Sequence, residues 1–243
     1  MQLQIPKTEL LASLLQISCG ITCIVGGGGK TSLMLHLAQT LQHHGTVIVT
    51  TTTHIWPPEG MMVLQEPTTK EAVQLGLRQQ HMLCVGMRCA DGKLAMSAIQ
   101  PEVLASLADY VLIEADGAKR LPLKAPDAHE PVIPDCTKLV IAVAGLDGVG
   151  KSIAETAFRA EQYAKLIGIE NLAHCIAPAD VASVLMNNNG QRKFVTNQMR
   201  YAIVLNKADD AQRIETARQI AALIEPNVAY TVVATCLKEK YKC

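Results

Sequence analysis

The sequence predicts an α/β fold with a mostly parallel central sheet covered by helices on both faces, and three observations carry that prediction. Apolar runs of strand length recur along the 243 residues. Most of them are continuous rather than alternating, the pattern of strands buried on both faces. Helical stretches separate them, the order of βαβ units whose ligands sit at the carboxyl ends of the strands.

In chain order the strands are ITCIV (21–25), TVIVT (46–50), MLCVG (82–86), YVLIEA (110–115), KLVIAVA (138–144), YAIVL (201–205) and AYTVVA (229–234). The helices are expected over 31–44, 68–80, 152–168 and 209–225, with Thr68 and Glu71 as a capping box for the second. Aromatic residues are only 3% of the chain, so aliphatic side chains and Met fill the core. LPLKAPDAHEPVIP (121–134) reads as a surface loop, because prolines at 122, 126, 131 and 134 exclude regular helix and central strand. Strand-like sequence resumes at Lys138, so the loop divides no domains and residues 1–243 are read as one domain.

A hydrophobic content of 49% is ample for a packed core. Lys plus Arg equals Asp plus Glu at 22 each, so no net field draws the chain to nucleic acid or to an anionic membrane. The first residues lack a basic segment followed by a long apolar run, and no stretch has the apolar length of a membrane span. A soluble cytoplasmic protein is expected. The eight cysteines (Cys19, Cys23, Cys84, Cys89, Cys136, Cys175, Cys236, Cys243) form no CxxC pair, so reduced and mostly buried thiols are expected rather than a zinc site.

Two stretches compete as a phosphate-binding loop. GLDGVGKS (145–152) matches GxxxxGK[ST] letter for letter, whereas IVGGGGKTS (24–32) has Ile24 where that pattern begins with glycine. A phosphate loop needs a strand, a glycine turn that aims backbone N–H groups inward, a lysine, a hydroxyl for Mg²⁺ and a helix start. The upstream stretch has each part: strand 21–25, Gly26, Gly27, Gly28 and Gly29, then Lys30, Thr31 and Ser32. Four successive glycines are entropically costly, which suggests close backbone approach to a ligand.

Chain order favours the upstream loop. Enzymes of this class place an acidic strand end after the loop, and GTP-specific members add NKxD later. From Lys30 that order holds, through Glu114 and Asp116 in YVLIEADG to Asn206, Lys207 and Asp209 in NKAD. From Lys151 no acidic strand end intervenes before Asn206. A carboxylate such as Asp209 can accept from both the ring N–H and the exocyclic amine of guanine, a donor pair adenine lacks. Glu114 and Asp116 read either as strand-end acids or as an ExxG switch, and both readings put a carboxylate near Mg²⁺. Thr50 to Thr53 and His54 bring hydroxyls and an imidazole to the same sheet edge. Lys119, Arg120 and Lys124 form a basic cluster, for a substrate anion or in a solvated loop, and His129 and Glu130 have no assignable partner.

GGGGKTS, VTTTTHIWPP, IEADGAKRLPLKAP, HEPVIP, GLDGVGKS and VLNKAD, in that order, resemble the YqeC family, described as accessory proteins of selenium-dependent molybdenum hydroxylases. Relatives carry a GxGGKT loop, which Gly26, Gly28, Gly29, Lys30 and Thr31 match, and read GLDxxGKP downstream, where this chain has Ser152. The resemblance implies a role in maturing a molybdopterin-type or selenium-containing cofactor. It is joined by a more distant likeness to metallochaperone GTPases, whose cysteine-rich metal motif this chain lacks.

The combined expectation is a P-loop NTPase-like three-layer domain that binds Mg²⁺ with GTP or ATP and hydrolyses it slowly. Lys30, Glu114 and Asp116 are the catalytic candidates. Gly26 to Ser32, Asn206, Lys207 and Asp209 contact the nucleotide, and Thr31 and Asp116 contact the metal. The partner is a molybdenum hydroxylase or a cofactor-maturation protein. A kinase or nucleotidyl transferase acting on a cofactor precursor, and a non-catalytic nucleotide-binding module, are the alternatives.

Overall fold

In the computed structural model, which describes residues 2–6, 10–65 and 68–237, all seven expected strands form. After the single helical turn α1 (Leu11–Leu14) come β1 (Gly20–Gly26), α2 (Lys30–Leu41), β2 (Val47–Thr51), β3 (His54–Ile55), β4 (Met62–Gln65), α3 (Lys70–Gln80) and β5 (Met82–Arg88). The chain continues through β6 (Leu94–Ala95), α4 (Pro101–Leu107), β7 (Tyr110–Glu114), β8 (Leu123–Lys124), β9 (Thr137–Gly145) and α5 (Ile153–Thr156). It closes with β10 (Ala157–Phe158), α6 (Ala160–Leu166), α7 (Pro178–Met186), β11 (Arg200–Asn206), α8 (Ala211–Leu223) and β12 (Thr231–Thr235).

The large sheet runs β12-β11-β9-β1-β7-β2-β5-β6-β3, with β4 also on β5, and is parallel except where β6 meets β5 and β3 meets β6. β1 lies between β7 and β9, so the strand feeding the glycine loop is the direct neighbour of the strand ending in Glu114. The carboxyl ends of β1, β2, β7, β9 and β11 therefore share one edge.

Side chains alternate across β1 and divide the core into two layers. Ile21, Cys23 and Val25 face a cluster that includes Val73 of α3, Leu104 of α4, Tyr163 of α6, Val181 of α7 and Ile220 of α8. Ile24 faces Leu33, Met34, Leu37 and Leu41 of α2 with Leu11 and Leu15. Helices thus cover both faces, giving the three-layer α/β arrangement of a P-loop NTPase-like fold.

Four expectations need correction. The helix expected over 152–168 breaks after Thr156, where Ala157 and Phe158 pair with Leu123 and Lys124 and Arg159 takes a left-handed φ of 59°. Tertiary pairing there overrides helix propensity. The segment 121–134 is no surface loop in its first half: residues 122–126 are buried and β8 lies within it. The cap of α3 is Thr69, which accepts from Ala72 N at 3.2 Å, while Thr68 donates to Gln65 O at 2.7 Å. Among the described cysteines only Cys23 and Cys84 are buried, and burial pushes both thiols up to about 12. No helix among the described residues is long and apolar enough to cross a membrane.

Candidate functional site

The glycine loop joins β1 to α2 in a conformation that only glycine adopts freely, with φ of 97° at Gly26, 79° at Gly28 and 115° at Gly29. It is fixed from behind by its own donors. Gly26 N bonds Asp116 Oδ2, Gly27 N bonds Val143 O and Gly28 N bonds Leu121 O, each at 3.0 Å. The expectation that all four glycine N–H groups face a ligand is thereby corrected. The donors left over are those of Gly29, Lys30, Thr31 and Ser32, which open α2 with no capping side chain. Helix geometry leaves these four N–H groups without an intrahelical acceptor, and the helix dipole adds partial positive charge there.

Lys30 is 4% exposed and donates to Gly26 O at 2.7 Å, with Asp116 Oδ1 at 3.2 Å and Glu114 Oε1 at 3.6 Å. Burial by itself would lower its pKa, but the carboxylates of Asp116 and Glu114 outweigh it and raise it, so the ammonium stays charged. Thr31 Oγ1 donates to Glu114 Oε2 at 2.7 Å. Burial lifts the Glu114 pKa above the usual carboxylate range despite Lys30 and Thr31.

Asp116 behaves differently from the metal contact expected of it. It is wholly buried: Oδ2 accepts from Gly26 N and lies 3.1 Å from Lys124, while Oδ1 lies 3.2 Å from Lys30 as an ion pair and accepts no hydrogen bond. The carboxylate that the fold brings to the Thr31 hydroxyl belongs to Glu114. Beyond Asp116 a chain of charges continues toward the surface: Lys124 Nζ contacts Glu130, and Glu130 is gripped by Arg159 at 2.7 and 3.1 Å. Lys124 is therefore no solvated loop cation, whereas Lys119, Arg120 and His129 are exposed.

The NKAD stretch follows β11 at the same edge. Asn206 Nδ2 donates to Gly28 O at 2.8 Å, and Thr235 Oγ1 donates to Asn206 Oδ1 at 3.0 Å. Lys207, at a left-handed φ of 65°, reaches Asp147 Oδ2 at 2.8 Å. Asp209 accepts from Arg213 at 2.8 Å and from the Cys236 thiol at 3.0 Å, and remains open to solvent. Sequence reasoning missed Thr235, Cys236 and Asp147. The available signal was position, since Thr235 ends the strand adjacent to β11.

Five of the eight backbone donors of GLDGVGKS are used within the protein. Gly145 N bonds Pro122 O, Val149 N bonds Leu146 O, Gly150 N bonds Ile176 O, Lys151 N bonds Gly148 O and Ser152 N bonds Glu155. Lys151 is exposed, and Ser152 with Glu155 forms the capping box of α5. The threonine run is likewise engaged: Thr50 Oγ1 bonds Val85 O, Thr51 Oγ1 bonds Glu114 O and Thr52 Oγ1 bonds Val132 O, each at 2.8 Å. His54 is exposed on β3, paired with Ala95 and away from the Lys30 cluster.

Thr31 and Glu114 suit a hard cation such as Mg²⁺, which takes oxygen ligands and completes its octahedron with phosphates and water. Among the described residues no three His, Cys, Asp or Glu side chains converge in metal-holding geometry, so a dedicated protein cage is not built.

The sequence model of a family described as "YqeC protein" matches residues 22–161, which hold the glycine loop, Glu114 to Glu130 and the GLDGVGKS turn. The chain is 31% identical over 228 residues to "Uncharacterized protein YqeC" of Escherichia coli (strain K12), covering 89% of this chain and 86% of the relative. No solved structure matches. With the family match spanning more than half the chain, and the relative aligned along nearly its whole length, this protein belongs to the YqeC family.

Proposed function

We propose that the chain binds a purine nucleoside triphosphate with Mg²⁺, GTP in preference to ATP, and hydrolyses it slowly as an accessory protein in maturing a selenium- or molybdopterin-dependent hydroxylase or its cofactor. The observation that carries the nucleotide reading is the convergence of Lys30, the Thr31–Glu114 pair at 2.7 Å and the uncapped N-terminus of α2 at one point of the sheet edge. The maturation context rests on the motif blocks shared with the family.

In this reading the N–H groups of Gly29 to Ser32 bind the β- and γ-phosphates, and Lys30 turns from Gly26 O toward them. Thr31 and Glu114 hold the cation, which when bound neutralises charge developing on the phosphates. Asp116 has no contact with the reacting groups. It is a positioning residue that fixes Gly26 and keeps Lys30 charged. At the far end Asp209 presents acceptors to the guanine edge, while Asn206 ties that loop to Gly28.

Calorimetry with GTP and ATP tests the reading. Lys30→Ala removes charge-assisted bonds each worth roughly 1.5–3 kcal/mol, so affinity falls about tenfold or more, while Lys151→Ala leaves it within about twofold. Loss of binding in Lys151→Ala alone overturns the site.

A further inference from the structure

Residues 118–121 form a tight turn closed by Leu121 N to Ala118 O at 2.9 Å, and both central residues have positive φ, 46° at Lys119 and 63° at Arg120. This is the mirror-image turn in which Asn-Gly is strongly preferred, because branched and long L side chains are strained there. The turn is held against the glycine loop by Gly28 N to Leu121 O at 3.0 Å, and against the end of β9 by Gly145 N to Pro122 O at 2.9 Å.

One of its two cations shares an aromatic face with a third. Lys119 Nζ lies 5.2 Å from the Phe158 ring centroid and Arg159 Cζ lies 4.6 Å from the same centroid. Arg159 also has a left-handed φ, 59°. Phe158 pairs with Lys124, which is one carboxylate away from Lys30 through Asp116. Lys119 and Arg120 form no ion pair among the described residues, although the chain as a whole carries equal numbers of basic and acidic residues.

Beside the glycine loop, then, two adjacent exposed cations without a counter-charge, Lys119 and Arg120, and a third, Arg159, paired with Glu130 and Asp127, all stand in left-handed backbone. Strain of this kind persists where the surrounding structure enforces it and collects at functional sites. We propose that Lys119 and Arg120, supported by Arg159, form a second anion subsite that holds a small phosphorylated molecule next to the terminal phosphate of the bound nucleotide. The subsite rests on the nucleotide reading for its neighbour, but its own residues are distinct from those of the nucleotide site. A second ligand at this place makes the chain a two-substrate protein rather than a nucleotide switch alone.

The test titrates inorganic pyrophosphate into protein saturated with Mg²⁺ and guanosine 5′-(β,γ-imido)triphosphate, using calorimetry on the parent and on the double variant Lys119→Asn/Arg120→Gly. That variant supplies the preferred turn residues and removes both charges, so a purely structural turn gains thermal stability and nothing else changes. The expected result is one pyrophosphate bound by the loaded parent, affinity at least about tenfold weaker in the variant, and analogue affinity unchanged. Absent pyrophosphate binding, or binding indifferent to the variant, overturns the subsite. Weaker analogue binding in the variant overturns it too, since the cations then serve the nucleotide itself. Failure of the nucleotide reading appears separately, as no analogue binding by the parent. Pyrophosphate binding to the free protein that survives Lys30→Ala but not the double variant then still supports the turn.

Discussion

Lys124 Nζ lies 3.1 Å from Asp116 Oδ2, and both side chains are wholly buried. Asp116 contacts Lys30 through its other oxygen at 3.2 Å, so one carboxylate joins the lysine of the glycine loop to a second lysine inside the fold. Removing one partner of a buried ion pair leaves an uncompensated charge. Lys124→Met is expected to cost about 3–5 kcal/mol in urea unfolding, and Asp116→Asn combined with it less than the sum of the two singles, because the orphaned charge is then gone.

Glu130 gives the pH dependence. Burial alone would raise its pKa, but the bonds from Arg159 and Lys124 hold it below its ordinary value. A carboxyl with a lowered folded-state pKa stabilises fully above the ordinary value and loses that contribution as pH falls through the lowered one. Glu130→Gln is therefore expected to be less stable than the parent near pH 7 by about 1–2 kcal/mol, discounted from the fully buried case because the group is partly exposed. The difference shrinks in acid, and unfolding curves across pH check it.

The division of labour between the two acids can be measured. Glu114→Gln should abolish the Mg²⁺ enhancement of nucleotide binding, on the order of tenfold, since one charged oxygen ligand is worth about 1.4 kcal/mol or more. Asp116→Asn should mainly lower stability. If Asp116→Asn instead removes the Mg²⁺ effect and Glu114→Gln does not, the assignment is reversed.

Gly28 admits no side chain. A Cβ there would lie 2.3 Å from Gly145 N and 2.9 Å from Pro122 O, at a φ of 79° that disfavours alanine. Gly28→Ala is expected to destabilise by roughly 3 kcal/mol or more through overpacking and strain combined, whereas Gly117→Ala, with nothing near the added carbon, is expected to cost far less. Thermal melts of the two variants make the comparison.

The proposed guanine preference can be tested at Asp209. Asp209→Asn replaces a paired acceptor with a donor and an acceptor, so GTP affinity should fall about tenfold or more while xanthosine triphosphate, which presents a carbonyl at that edge, should gain. Competition of the two nucleotides for the parent and the variant reads this directly.

The strands were legible because burial on both faces writes continuous apolar runs, and the site was legible as far as chain order could place strand ends at one edge. Helices of seven to nine residues such as α4 and α7 carry too few turns to establish a period. β8 and β10 were hidden for another reason: Lys124 looks like a surface residue until Asp116 and Glu130, remote in kind from any local pattern, are found around it. The ion pairs of Asp116 with Lys30 and Lys124 were likewise invisible in sequence, since only the tertiary structure brings the two lysines to one carboxylate. GLDGVGKS illustrates the converse, because letters report which residues are present and not whether their N–H groups are free.

Asn206 holds Gly28 with its amide nitrogen and receives Thr235 on its amide oxygen, so three loops close on one side chain. Neither bond depends on which base is bound. Within NKAD the first and last letters therefore answer to different pressures. A homologue that turned to adenine would be expected to shed Asp209 and keep Asn206, and a search for guanine specificity across relatives should weigh the aspartate and disregard the asparagine.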